Sequence, residues 1–453
     1  MVAGRIVRPA ALYHSKATAM KISQFSTFVP ADDSVVGYNT FTDHYLPLNQ
    51  QLYELIESGR ANGNIDELNE YHPELYAAMI TSGFLVDEQK DEVEAVRRIS
   101  EEVDNDNTAY QLTVNPTMNC NFKCWYCYET HIKGSRMVVS VLDKIAMMLQ
   151  RQVDTMPALE DYTISFFGGE PLLNYRDVVV PILQHAHPLL TTSGIRLHVL
   201  FTTNGYLVKQ DMIDELKGFV DPFFQITLDG NRETHDTIRF VNNKRGSYDQ
   251  IMQNVQLLLS NRVGVRLRIN YTKKTLLGIT DIIDDLVTLS DAEQEYLLLD
   301  FHQVWQDGED LNDDIVAVME YFREAGLYAT APYKFPNNVV SSCYADKRNS
   351  AVINYNGDVF KCTARDFKAA NREGYLTEQG EIVWENDSLE RRMSAKFNNR
   401  PCLSCFMLPI CNGGCSQHAV EHRDADEYCV YNFDEKAKQR LILDQYHYKY
   451  GHR

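Results

Sequence analysis

Residues 119–129 read NCNFKCWYCYE, with thiols at Cys120, Cys124 and Cys127 and aromatic side chains between them. The stretch follows an apolar run, YQLTVN (110–115). Five more such runs come after it: YTISFF (162–167), RLHVLFTT (196–203), FFQITLD (223–229), VRLRINY (265–271) and YLLLDFHQV (296–304). Between them lie VLDKIAMMLQRQV, VVVPILQHAHPLL, QDMIDELKGF, YDQIMQNVQLLLSN and ITDIIDDLVTL, with apolar residues at helical spacing. Apolar strands alternating with helices predict parallel βα units buried on both faces. Six units fit an open doubly wound sheet or a partial barrel, and both bind ligands at the C-terminal strand ends. Cys120 stands just past the first strand, Gly168-Gly169-Glu170 past the second and Asn204-Gly205 past the third. Thr227-Leu228-Asp229-Gly230 closes the fourth, and Arg268-Ile269-Asn270 lies within the fifth.

Three thiolates on one loop can surround a single inorganic centre. Zinc would want a fourth protein ligand, for which Glu129 and His131 are nearest in sequence. A four-iron cluster held by three thiolates would instead leave one iron open to a small molecule, and the spacing favours the cluster. A disulfide framework is not expected. Residues 1–20 hold no apolar secretory core, so the chain is expected to be cytoplasmic, with its thiols reduced.

The chain has 453 residues and a formal net charge of −19. That charge argues against a broad nucleic-acid or anionic-membrane surface. No apolar run approaches the roughly 20 residues of a membrane span. Residues 1–20 carry Arg5, Arg8 and Lys16 without an acidic residue and are expected to form a disordered tail. In 21–105, KISQFSTFV and SVVGYNTF flank the turn formers Pro30–Asp33, then come NQQLYELIESG, HPELYAAMITSGFLVDE and the charged KDEVEAVRRISEEVDND. Strands followed by a helix pair and a short strand predict a winged-helix α+β domain. Residues 106–310 form the βα unit, 311–340 a linker, and 341–453 a cysteine-rich domain. This last part holds Cys343, Cys362, Cys402, Cys405, Cys411, Cys415 and Cys429 with few periodic runs. Metal is expected to organise it where an apolar core is missing. By itself, Cys402–Cys415 also fits a zinc knuckle.

Cys120-x3-Cys124-x2-Cys127 with Tyr126 inside it, FFGGEPL, TTNG and LDG, in this order on successive βα units, resemble the signature of radical SAM enzymes over about residues 108–310. The resemblance implies a partial (β/α)6 TIM-like barrel. It implies that Cys120, Cys124 and Cys127 bind three irons of a [4Fe–4S] cluster, with S-adenosylmethionine (SAM) chelating the fourth. An electron from the cluster would then release a 5′-deoxyadenosyl radical that takes hydrogen from an unactivated carbon. Gly168, Gly169 and Glu170 would meet the SAM ammonium. Asn204, Thr227, Arg268 and Asn270 would meet its ribose and carboxylate, with Arg268 suited to a bidentate contact. Tyr126 would pack beside the adenine.

The seven C-terminal cysteines resemble a SPASM domain, which implies two auxiliary [4Fe–4S] clusters. One would be ligated by Cys402, Cys405, Cys411 and Cys429, the other by Cys343, Cys362 and Cys415. With the SAM cluster that makes three clusters, and the last has no fourth cysteine. The N-terminal unit is similar to the peptide-recognition domains of peptide-modifying members, which add a peptide strand to a sheet edge. The implied function is radical modification of a ribosomally made precursor peptide with a leader. A thioether or carbon–carbon crosslink is the expected product, and flavodoxin or ferredoxin the electron donor. The rivals are an anaerobic sulfatase-maturing, formylglycine-forming enzyme, a small-molecule radical SAM enzyme, and a non-enzymatic zinc-structured binding protein. His302, Asp300, Asp307 and Asp346 are candidate acids or bases, none of them singled out.

Overall fold

In a computed structural model, the structure describes residues 19–31, 34–241, 245–327, 329–330, 338–422 and 427–450. The expected N-terminal tail, apart from its last two residues, lies outside them. The chain forms two compact units, each built from separated segments.

The larger unit comprises residues 101–398 and 415–425. Its strands are β1 (Ala109–Val114), β2 (Asp161–Phe166), β3 (Arg196–Thr203), β4 (Phe223–Asp229), β5 (Gly264–Tyr271) and β6 (Leu297–Gln303). They pair in parallel in the order 1-2-3-4-5-6. No strand order reverses within the six, as it would in a doubly wound sheet. The strands Ala329–Thr330 and Ser350–Ile353 extend the two ends in parallel, and three short antiparallel strands follow the latter, giving an 11-stranded mixed sheet.

The crossover helices form where apolar residues recur at helical spacing. Val139–Thr155 buries Val141, Ile145, Met148 and Leu149. Tyr248–Ser260 buries Ile251, Val255, Leu258 and Leu259. These side chains join those of the strands, such as Leu112, Ile164, Phe201, Ile226 and Leu267, in one continuous core. Each fully buried aliphatic or aromatic side chain contributes on the order of 1.5–3 kcal/mol. The stretch 311–340, expected as a linker, contains the helix Asn312–Glu324, which buries Ile315 and Phe322.

The smaller unit comprises residues 1–100, 399–414 and 426–453. The predicted KISQFSTFV strand divides in two. Met20–Ile22 pairs with Leu85–Asp87, and Ser26–Ala31 joins Ser34–Asn39 and His44–Asn49 in a three-stranded antiparallel sheet. The SVVGYN strand is central in that sheet. Its edges are Ser26–Ala31 and His44–Asn49, each containing a proline, Pro30 and Pro47, as edge strands tolerate. Val35, Leu48, Ile56, Leu68, Met79, Phe84 and Leu85 form the core beneath. The division between units also parts the C-terminal cysteines. Cys402, Cys405, Cys411 and Cys429 belong to the smaller unit, and Cys343, Cys362 and Cys415 to the larger.

Candidate functional site

The loops after β1, β2, β3 and β4 meet in the larger unit, and two glycines let them meet. The Gly169 N–H donates to the Thr117 carbonyl at 3.1 Å and the Glu170 N–H to that of Asn119 at 2.9 Å. A Cβ on Gly168 would lie 2.6 Å from the Thr117 oxygen, and one on Gly169 2.3 Å from the Asn119 oxygen. Gly168 also has φ +91°, a conformation that disfavours side chains. The loop after β2 thus lies backbone to backbone on the residues leading into Cys120.

Glu170 does not reach outward as expected. Its carboxylate is fully buried. Oε1 accepts from the Leu172 N–H (3.0 Å) and the Thr203 hydroxyl (2.7 Å), and Oε2 from the Asn204 N–H (2.8 Å). Glu170 therefore ties the loop after β2 to the end of β3. Asn204 in turn donates through Nδ2 to Asn121 Oδ1 at 2.7 Å, beside Cys120.

A cavity of about 220 Å³ opens at these strand ends. Cys120, Cys124 and Cys127 line it, with Tyr126, Gly168, Gly169, Asn204, Thr227, Arg268 and Asn270. The expected site residues are thus brought together, with Glu170 held behind the wall. Thr227 and Arg268 are register partners on β4 and β5. Burial lowers the Arg268 pKa, opposed by Asp300. Burial pushes the Cys120 thiol up to about 12 and Cys127 to about 11. Metal binding here must therefore drive proton release.

Asp229, which the LDG motif contains without assigning it a role, and Arg239, which lies outside every motif, form a second layer. They are paired and buried, at 1% and 8% exposure. The Tyr126 hydroxyl donates to Asp229 Oδ1 at 2.7 Å and accepts from Arg239 Nη2 (2.7 Å) and Asn270 Nδ2 (3.1 Å). Tyr126, expected beside adenine, is thereby anchored by its hydroxyl. Arg239 follows the helix Arg232–Ile238 rather than any glycine motif. Gln225, Gln303, Trp305 and Gln306 also line the cavity and carried no sequence signal.

Of the candidate acids and bases, His302 pairs with Asp300 at 3.0 Å, and Asp307 accepts the Lys273 N–H at 2.8 Å. None of the three lines the cavity. Glu129 and His131 do, with His131 Nε2 3.5 Å from Cys127 Sγ. Among the described residues, however, no three His, Cys, Asp or Glu side chains converge as they would on a single metal ion.

Residues 114–289 match the model of the radical SAM superfamily. This chain thus carries a radical SAM domain. It is 24% identical over 341 residues to a cysteine-type anaerobic sulfatase-maturating enzyme of Clostridium novyi, covering 66% of this chain and 86% of that one. It is 22% identical over 366 residues to the radical SAM cyclopropyl synthase TigE of Paramaledivibacter caminithermalis, covering 74% of each. Among solved structures, anSMEcpe with bound AdoMet matches with a TM-score of 0.56 at 16% identity, over 75% of this chain and 97% of that one. Streptococcus suis SuiB bound to its precursor peptide SuiA matches with a TM-score of 0.52 at 16% identity, over 90% of this chain and 97% of that one. These structural likenesses establish the fold. No helix among the described residues is long and apolar enough to cross a membrane.

The remaining cysteines of this chain fall into two sets. Within the smaller unit, Cys402, Cys405, Cys411 and Cys429 line one small cavity with Met407, Leu408, Val430 and Phe433. Two donors point at its sulfurs: Asn399 Nδ2 lies 3.1 Å from Cys402 Sγ and Lys438 Nζ 3.5 Å from Cys405 Sγ. Within the larger unit, burial, Asp346, Cys362 and Cys415 all push the Cys343 thiol up, to about 12. The segment after Cys362 is stitched to the segment after Cys127. The Tyr128 hydroxyl donates to the Thr363 carbonyl (2.8 Å), and the Thr130 N–H and hydroxyl donate to Asp366 (2.8 and 2.6 Å).

Proposed function

We propose that this chain is a peptide maturase, installing a thioether or carbon–carbon crosslink in a ribosomally made precursor. One observation carries the reading. Three thiols without a fourth, a glycine-lined backbone wall and the polar groups of Thr227, Arg268 and Asn270 face one cavity. That donor set fits a [4Fe–4S] cluster with one open iron and a zwitterionic ligand beside it. When bound, cluster and SAM together supply a 5′-deoxyadenosyl radical.

The chain's own residues prepare the site. Cys120, Cys124 and Cys127 would hold the cluster. The backbone of Gly168 and Gly169 would accept from the SAM ammonium, with Glu170 fixing that backbone from behind. Arg268 would meet the carboxylate, and Asn204, Thr227 and Asn270 the ribose. The Asp229–Arg239 pair would keep Tyr126 in place beside the adenine. Cys402, Cys405, Cys411 and Cys429 fit one auxiliary cluster, and Cys343, Cys362 and Cys415 a second, as in a SPASM domain. Flavodoxin or ferredoxin would supply electrons.

Relatives that act on peptides support the substrate class: SuiB was solved with a precursor peptide, and anSMEcpe with the Cp18Cys peptide. The N-terminal segment would serve as a winged-helix leader-binding domain. Its sheet offers two edges, Ser26–Ala31 and His44–Asn49, for an added strand. Holding a leader there would raise the effective concentration of the core peptide.

A sulfatase-maturing activity is similarly supported, because the Clostridium novyi relative carries that name. The deciding assay incubates anaerobically reduced full-length enzyme with SAM and two peptides. One is a leader-bearing precursor taken from a neighbouring reading frame, the other a sulfatase-type peptide with a target cysteine. Maturase activity gives a hydrogen-pair mass loss in the first. Formylglycine appearing only in the second would overturn the crosslinking reading. 5′-Deoxyadenosine production that survives C120A/C124A/C127A would overturn the cluster assignment.

A further inference from the structure

We propose that Asp346 is the fourth protein ligand of the auxiliary cluster held by Cys343, Cys362 and Cys415, binding through its Oδ1. The inference rests on the reading of those three thiols as cluster ligands.

The cysteine count leaves a gap. Of the ten cysteines, three line the SAM cavity and four line the cavity of the smaller unit. Three remain for the second auxiliary cluster, one short of its irons. Asp346 stands where a fourth donor is needed. Cys343 caps the 3₁₀ turn Tyr344–Asp346, and the Asp346 N–H closes it on the Cys343 carbonyl at 2.9 Å. In such a turn, side chains three residues apart lie over one another, so carboxylate and thiol share a side.

The Asp346 carboxylate is also incompletely satisfied. Its side chain is 1% exposed, and Oδ2 makes an ion pair with Lys396 Nζ at 3.1 Å. Among the described residues, no hydrogen bond reaches Oδ1. A buried carboxylate oxygen without a donor is costly. Lys396 does not neutralise the group alone, because it also pairs with Asp104 at 2.6 Å. Lys361, the other buried ammonium nearby, is occupied by the Arg348 carbonyl (3.2 Å), the Ser350 hydroxyl (2.9 Å) and the carbonyls of Lys347 and Ser350. A cationic iron beside Cys343 supplies what Oδ1 lacks, and an oxygen donor is an acceptable ligand for iron.

The test uses the full chain carrying C120A/C124A/C127A, so that only auxiliary clusters contribute, reconstituted anaerobically with iron and sulfide. The protein is labelled with aspartate carrying ¹³C in its side-chain carboxyl and reduced. Electron–nuclear double resonance should then show a ¹³C coupling to one cluster. D346N should abolish the coupling and make that cluster lose iron on mild ferricyanide oxidation. D346C should restore resistance to oxidation with an altered EPR signal. The parent's cluster should ignore an added small thiol, whereas D346N should bind it with an EPR shift. Auxiliary iron with no ¹³C coupling in the parent overturns the proposal whatever the variants do, and leaves the cluster reading intact. Absence of auxiliary iron from the parent overturns the cluster reading itself.

Discussion

Gly169 and Asn119 meet with no room for a side chain: a Cβ on the first would stand 2.3 Å from the carbonyl oxygen of the second. The obstacle is backbone, which cannot rotate away as a side chain would. Gly169→Ala should therefore push the loop after β2 off the residues entering Cys120. Overpacking of this kind costs about 1–3 kcal/mol. The expected result is a lower denaturation midpoint together with incomplete loading of the SAM cluster, read as iron per chain. A G169A protein with full iron and unchanged stability would show that the two loops do not hold each other.

Glu170 separates two roles by experiment. As the tie between the loop after β2 and the end of β3, its carboxylate accepts from Leu172, Thr203 and Asn204. Glu170→Gln turns one acceptor into a donor and leaves a buried N–H opposed, at about 1–3 kcal/mol. Urea denaturation should register that loss. SAM affinity, measured by isothermal titration on the cluster-loaded enzyme, should fall only through the displaced loop, a few-fold at most. A large loss of SAM affinity at unchanged stability would instead put the carboxylate on the SAM ammonium.

Much of the larger unit was legible because its strands are short apolar runs with turn residues at their ends. The expected bounds of β3 and β4 match the structure residue for residue. Their alternation places Thr227 on the cavity wall, as Arg268 and Asn270 are placed by β5. Sequence motifs report position along the chain, however, and not the direction of a side chain. Glu170 therefore read as an outward ligand although its partners are behind it. Arg239 carried no motif because its importance comes from burial against Asp229, a tertiary fact. Strand His44–Asn49 escaped notice because Pro47 reads as a breaker, and only an edge position accommodates it. The parting of the cysteines between two units was equally hidden, since Cys411 and Cys415 are near neighbours in sequence.

The Asp229–Arg239 pair should behave as a buried ion pair, far more costly to halve than to remove. Arg239→Met strands a carboxylate that is 1% exposed, an effect of about 3–5 kcal/mol. Asp229→Asn in the same chain should recover most of that loss, because no unpaired charge remains. The measurement is a double-mutant cycle by urea denaturation. Additive losses in the double variant would mean the two groups are not coupled. The double variant should still lose order at Tyr126, whose hydroxyl bonds to both.

Lys438 offers a test of the cysteine cavity in the smaller unit that needs no substrate. Its ammonium lies 3.5 Å from Cys405 Sγ, with Glu435 Oε1 2.5 Å away on the outer side. The lysine side chain is buried at 5% exposure, while that of Glu435 is 60% exposed, so water screens the carboxylate more than the cation. Reducing an iron–sulfur cluster adds negative charge, and a donor to a ligating sulfur favours the reduced form. Lys438→Met should therefore move the midpoint potential of that cluster to a more negative value, and Lys438→Arg should keep it near the parent's. Potentiometric titration followed by EPR reads this directly in a chain lacking Cys120, Cys124 and Cys127. A shift of the same size and sign in both variants would point to packing rather than charge. No shift in either would place the cluster away from Cys405, against the reading of those four cysteines as its ligands.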